Sequence, residues 1–227
     1  MSCRGLQPGV FVPAYGNREQ VISELVVRRH RLYGRSVVSH QHVRASDHLL
    51  EVCRDNNIRI LVLTRNLPDT LVSLRDHMNN ESTTNFFFTV TPSEWSSMSE
   101  VEQYQLLGEY ALPWYVEFAA GWISVLQRNL GFVEHLTYRQ VVSESKDDVA
   151  AALSRLGFEG CWPDVLRSNA RLLKHNTSAI RLNKGTSGRG NQVFEKYDFL
   201  RSRLDSLLEV RPKWQGEKLR ELLISPG

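Results

Sequence analysis

The side chains best placed for chemistry lie in ILVLTRNLPDTLVSLRDH, residues 60–77. The spacing sets Arg65 at the carboxyl end of a short apolar strand and Ser73 about a turn and a half into the helix that follows. In open parallel sheets ligands bind just beyond the carboxyl ends of the strands. A helix N-terminus draws anions, and a guanidinium presents a planar fork that matches two phosphate oxygens. The chemistry on offer is therefore a grip on a phosphate. The same residues also read as ordinary α/β punctuation, a strand ending in Arg-Asn before a Pro-Asp helix start. Two further stretches carry polar groups. RLNKGTSGRGNQV at 181–193 is Gly-rich and reads on its own as a flexible loop, and His40 and His42 stand at the end of a short β-type run, 35–43.

The elements that must position these groups alternate. Residues 18–31 form a helix with Val21, Leu25 and Val26 facing inward, ended by Gly34. A helix over 46–55, capped by Ser46, turns at Asn56-Asn57 into the strand 59–64. That run is apolar throughout and bounded by polar residues, which marks a buried parallel strand. Pro68 opens the helix 68–78, with Asp69 in its first turn. FFFTVT (86–91) packs on the core, and helices near 100–111 and 113–128 divide at Pro113. FVEHLTY (132–138) is a second central strand, and Ser145 caps a helix that Gly157 stops. Helices over 195–208 and 215–223 close the chain. Strands alternating with helices imply an α/β fold, a parallel sheet flanked by helices.

A chain of 227 residues with a net charge of +3 holds one sizeable domain and lacks the concentrated basic face of a nucleic-acid binder. Cys3, Cys53 and Cys161 show neither disulfide nor metal-ligand spacing, and no apolar run approaches the about 20 residues of a membrane span. Neither a metal, a nucleic acid nor a membrane is implied. A cytoplasmic location fits, with the Golgi lumen as the alternative if an N-terminal anchor is missing.

The order of these landmarks resembles that of the PAPS-dependent sulfotransferases (PAPS, 3'-phosphoadenylyl sulfate). Arg65-Asn66-Leu67-Pro68-Asp69-Thr70-Leu71-Val72-Ser73 is similar to the family's strand-Arg-Asn-Pro-x-Asp-x-x-x-Ser, with one Leu inserted and one later residue fewer, so the Arg-to-Ser spacing is kept. FVEHLTYRQVV resembles the strand whose Tyr packs near the adenine, here Tyr138, and LSRLGF (153–158) resembles the Leu-Gly after the next helix. Asn183-Lys184-Gly185-Thr186-Ser187-Gly188 resembles the late Arg-Lys-Gly-x-x-Gly loop. The resemblance implies that Arg65, Ser73, Lys184 and Gly185 hold the 3'-phosphate, that Asn183 replaces an arginine, and that Arg189 could restore its charge.

It further implies a histidine base at the end of the preceding strand. Distance to Arg65 favours His42, whereas Ser39-His40 matches the family triplet better. An imidazole suits the task because it is largely unprotonated at neutral pH. The aromatic residues Trp95, Trp114, Tyr115, Phe118 and Trp122 could line an acceptor pocket, though Trp114, Phe118 and Trp122 recur at helical spacing and read first as core. His48 reads as a surface residue.

The family's lysine-bearing P-loop for the 5'-phosphosulfate has no counterpart; VFVPAYGNREQVISEL, the nearest segment, has one Gly and no Lys. The expectation is a P-loop-kinase-like sulfotransferase fold, N-terminally incomplete, in one domain over 1–227: a truncated N-terminal part (1–34), a nucleotide-binding core (35–194) and C-terminal helices (195–227). The activity implied is sulfuryl transfer from PAPS to a hydroxyl or amine acceptor, small molecule, glycan or protein. The alternative is a homologue that binds PAP, PAPS or a partner without turnover.

Overall fold

The computed structural model describes residues 7–8, 20–32, 34, 37–142, 146–158 and 188–224. Strand β1 (Gln7–Pro8) pairs in parallel with β2 (Val37–Val38), and α1 (Glu24–Leu32) lies between them in sequence. α1 starts later than its sequence pattern implied. Ile22 and Val27 are buried, whereas Val21 and Leu25 are 57% and 79% exposed. Val21 falls in the lead-in before the helix, and Leu25 sits two residues, roughly 200°, round the cylinder from Val27. Of the β-type run expected over 35–43, the described residues 37–43 form a strand only at Val37–Val38, with one further bridge from Val43 to Gln20.

α2 (Asp47–Asp55) begins at Ser46, whose hydroxyl accepts the Leu49 N–H at 3.1 Å, and it buries Leu49, Leu50, Val52 and Cys53. Asn57 turns the chain at φ 55°, a conformation Asn tolerates because its short polar side chain bonds locally. β3 (Ile60–Thr64) follows, then α3 (Leu67–Asn80), capped by Asn66, whose side chain accepts the Asp69 N–H at 2.8 Å. α4 (Pro92–Ser97) was not anticipated. Thr91 and Glu94 form a capping box for it, but six residues are too few to show a period.

α5 (Glu100–Leu106) does not break at Pro113. It passes through one wide turn, Leu107–Ala111, into α6 (Leu112–Leu126). Proline has no N–H and crowds the carbonyl a turn earlier. The wide turn absorbs this, with the Leu112 N–H bonded five residues back to Leu107.

β4 (Val133–Thr137) pairs in parallel with β3, Ile60 opposite Val133 through Thr64 opposite Thr137. The short α7 (Tyr138–Val142) follows directly, so Tyr138 opens a helix and does not end the strand. α8 (Asp147–Arg155) is preceded by Lys146, which makes no side-chain cap bond, and Ser145, the expected cap, lies outside the described residues. Gly157 at φ 82° ends this part, as its position after Leu156 implied. α9 (Arg189–Lys196), α10 (Asp198–Glu209) and α11 (Lys213–Ile224) complete the described chain.

Alternation sorts the β3–β4 sheet into two faces. Val62 and Val133 pack with α2 and with Trp122 and Val125 of α6 in one core. On the other face α8 lies against β4, where Leu136, Ala152 and Leu156 are buried and Arg155 pairs with Glu134 at 2.9 Å. A larger core joins α3, α5, α6, α10 and α11. Phe87, Phe88 and Val90 pack on it, as their composition implied. The architecture is mostly helical around small parallel two-stranded sheets, of the general α/β class. Among the described residues no helix is long and apolar enough to cross a membrane.

Candidate functional site

In register, Thr64 and Thr137 end β3 and β4 side by side, so Arg65 and Tyr138 leave the sheet as neighbours. The Arg65 guanidinium lies 4.4 Å from the centroid of the Tyr138 ring and donates to Ser73 Oγ at 2.9 Å. These three residues, far apart in kind and partly in sequence, form one cluster. Tyr138 is held by a local device. Gln140 Oε1 accepts the Thr137 N–H at 2.8 Å while Thr137 Oγ1 accepts the Gln140 N–H, a reciprocal cap spelled by Thr-Tyr-Arg-Gln.

Arg65 is 21% exposed at its side chain, and its Nε is buried with no hydrogen-bond partner among the described residues. Buried polar atoms are rarely left so. An anion oxygen bound beside Arg65 would satisfy it, so the donor set fits a phosphate.

Asp69 is the residue that sequence reasoning undervalued. It is 2% exposed and receives the Gly188 N–H at 2.9 Å, the Gly190 N–H at 2.8 Å and the Asn66 amide at 3.0 Å, with Arg65 Nη2 at 3.9 Å. Burial alone would push this carboxyl up. The Gly188 and Gly190 N–H groups, the Asn66 amide and the Arg65 charge together outweigh it and hold the group below its ordinary value. The end of the Gly-rich segment is thereby fastened to the start of α3, beside Arg65. Gly190 must be glycine for this, since a Cβ there would overlap the Pro68–Asp69 peptide. The available signal was an Asp three residues after an Asn cap, followed far along the chain by Gly-Arg-Gly.

Arg189 does not join Arg65. It pairs with Asp76 of α3 at 2.7 Å, a buttress for the same docking. Lys184 and Gly185, and Asn183 with them, lie outside the described residues.

His40 and His42 face each other edge to face, ring centroids 5.2 Å apart. The His42 backbone N–H is held by Gln20 Oε1. His42 remains in contact with solvent, yet the walls around it displace enough water to lower its pKa, and the charge of His40 lowers it further. His48 is exposed, as expected. A third histidine, His135 of β4, bonds Thr64 Oγ1 at 2.8 Å, and burial lowers its pKa. It ties the two strands together one residue before Arg65.

A cavity of about 1160 Å³ takes in His40, His42, Arg65, Ser73 and Tyr138. Its other wall is α6, with Trp114, Tyr115, Phe118 and Trp122. Trp122 is core as well as wall, 4% exposed with its indole N–H donated to the Val43 carbonyl at 3.1 Å. Trp114 and Phe118 are half-buried and open onto the space. Trp95 belongs to the larger core, its indole bonded to Asn79 at 2.7 Å, and does not line this cavity.

Comparison with protein-family models and with curated proteins finds no match to this chain.

Proposed function

We propose that the chain has a P-loop-kinase-like sulfotransferase fold and transfers a sulfuryl group from PAPS to an acceptor hydroxyl or amine. The observation that carries this reading is the single cavity in which Arg65, Ser73 and Tyr138 meet the histidine pair. Arg65, steered by Ser73 and stacked on Tyr138, holds the 3'-phosphate. Tyr138 stands where an adenine would pack. Lys184 and Gly185 are the remaining donors that the resemblance assigns. PAPS supplies the sulfuryl group and its phosphate leaving group. His42, or His40 beside it, accepts the proton of the acceptor as its oxygen or nitrogen attacks sulfur. A lowered pKa keeps His42 neutral at pH 7 and ready for that proton.

One observation favours a second reading, a homologue that binds PAP without turnover. Residues 1–145 contain no lysine, so that stretch supplies no ammonium for the phosphate that leaves sulfur. Incubating the chain with sulfur-labelled PAPS and a panel of hydroxyl and amine acceptors separates the two. Labelled product that is lost in a His40→Ala, His42→Ala double variant supports transfer. PAP binding with no labelled product supports the non-catalytic homologue.

A further inference from the structure

We propose that Gln20 is a positioning residue for the transfer: its side-chain carbonyl fixes the backbone at His42 and with it the place of the histidine pair in the cavity. The inference rests on the reading above, in which His42 or His40 takes the acceptor's proton.

The need for such a strut follows from where the histidines sit. His40, Gln41, His42 and Val43 line the large cavity, and Gln20, Val43, Arg44 and Ala45 line a second one of about 490 Å³. Ile22, Val43 and Leu49 border both. A close-packed interior fixes a segment by contact on every side. A run bordered by two open spaces has to be fixed by directed bonds instead. Strand pairing supplies little of this among the described residues, because β2 ends at Val38 and pairing resumes only in the bridge at Val43.

Gln20 supplies a bond at the histidine itself. Its Oε1 accepts the His42 N–H at 2.5 Å from 22 residues earlier in the chain, while its own backbone bridges Val43. The next residue is held from the other direction, by the Trp122 indole N–H donated to the Val43 carbonyl at 3.1 Å. The lead-in to α1 and the middle of α6 thus clamp the chain at the base. The two histidine rings meet edge to face, so a shift of the His42 backbone displaces both. A misplacement of about 1 Å at a reacting group can cost about a hundredfold in rate.

The residue type fits the task. Gln offers a neutral acceptor. A Glu there would accept the same N–H but would set a negative charge beside the imidazoles, favouring their protonated forms and depleting the base at neutral pH. No Asp or Glu is among the described residues lining the large cavity, whose charged groups are Arg59 and Arg65 and whose other histidines are His30 and His77. In the second cavity Glu117 is paired with Arg211.

The test compares the full wild-type chain with Gln20→Met, which removes the acceptor, and Gln20→Glu, which keeps it. NMR reads hydrogen exchange at the His42 amide and the titration of the histidine rings, and sulfur-labelled PAPS reads transfer. In Gln20→Met the His42 amide should exchange at least about tenfold faster, and kcat should fall about 10–100-fold with KM for PAPS little changed. Gln20→Glu should keep the amide protected, move the His42 and His40 titrations and the acid limb of the rate upward, and recover the rate at raised pH. Exchange unchanged in Gln20→Met overturns the inference, as does a loss confined to KM or one equal in both variants at every pH. Circular dichroism checks both folds. Should Gln20→Met not fold, Gln20→Glu decides alone, and ring titrations unmoved in it overturn the inference. A wild type that transfers no label strikes the transfer reading. The strut is then judged on exchange and titration: protection lost in Gln20→Met and kept in Gln20→Glu sustains it, and exchange alike in the two overturns it.

Discussion

Arg65 is useful only while something aims it, and three neighbours do so: the Ser73 hydroxyl, the Tyr138 ring and, at longer range, the Asp69 carboxylate. Asp69 also carries the only buried carboxylate in the described chain to receive two glycine N–H groups from a distant segment. Its folded pKa is depressed, so its contribution to stability is whole above the ordinary Asp value of about 3.9 and is lost as pH falls through the lower folded value. Circular dichroism during acid titration should show α9 detaching in that range, and Asp69→Asn should bring the loss to neutral pH. His42 predicts a second pH effect. In the proposed transfer its neutral form is the base, and the loss of water around it together with the charge of His40 keeps that form populated below the usual histidine value of about 6.5. The acid limb of kcat/KM for labelled transfer should therefore fall below that value. A limb above it would remove His42 from the role.

At the scale of elements, α3 and the strand before it were legible because the strand is a continuous apolar run and because helix starts are written in short polar signals, although β3 buries only Val62 and Thr64 and leaves Leu63 47% exposed where full burial was expected. Ser46 and Gly157 sit where those signals put them. Other elements were less legible for identifiable reasons. α1 was read from a pattern that included its lead-in, which put Val21 and Leu25 inside. Pro113 looked like a break because the wide turn that accommodates it depends on packing, not on local propensity. The docking of α9 on α3 had no local signal at all, since its partners are 119 and 121 residues apart. It does make a sharp prediction. Gly190→Ala forces a Cβ into the Pro68–Asp69 backbone and should cost at least about 3–4 kcal/mol in chemical denaturation, at the severe end for a single methyl. Gly157→Ala, where a Cβ meets nothing but the positive φ is strained, should cost only about 1 kcal/mol.

Over the whole molecule, α6 connects two apolar cores, lending Val116, Ala119, Ala120 and Ile123 to one and Trp122 and Val125 to the other. The large cavity opens along it, with the ends of β3 and β4 at its polar side. Of the residues singled out from sequence, His40, His42, Arg65, Ser73 and Tyr138 share that space, although Tyr138 follows β4 where the reading had it end the strand. Their meeting depends on parallel pairing between β3 and β4, which no local pattern specifies. The proposed function stands or falls on whether this meeting point is a 3'-phosphate subsite. Isothermal titration of the full chain with PAP and with AMP, on wild type and on Arg65→Ala, tests it most directly. PAP should bind the wild type at least about tenfold more tightly than AMP, and Arg65→Ala should erase that difference by weakening PAP about 10–100-fold. Equal affinity for PAP and AMP in the wild type, or a preference for PAP that survives in Arg65→Ala, would contradict it.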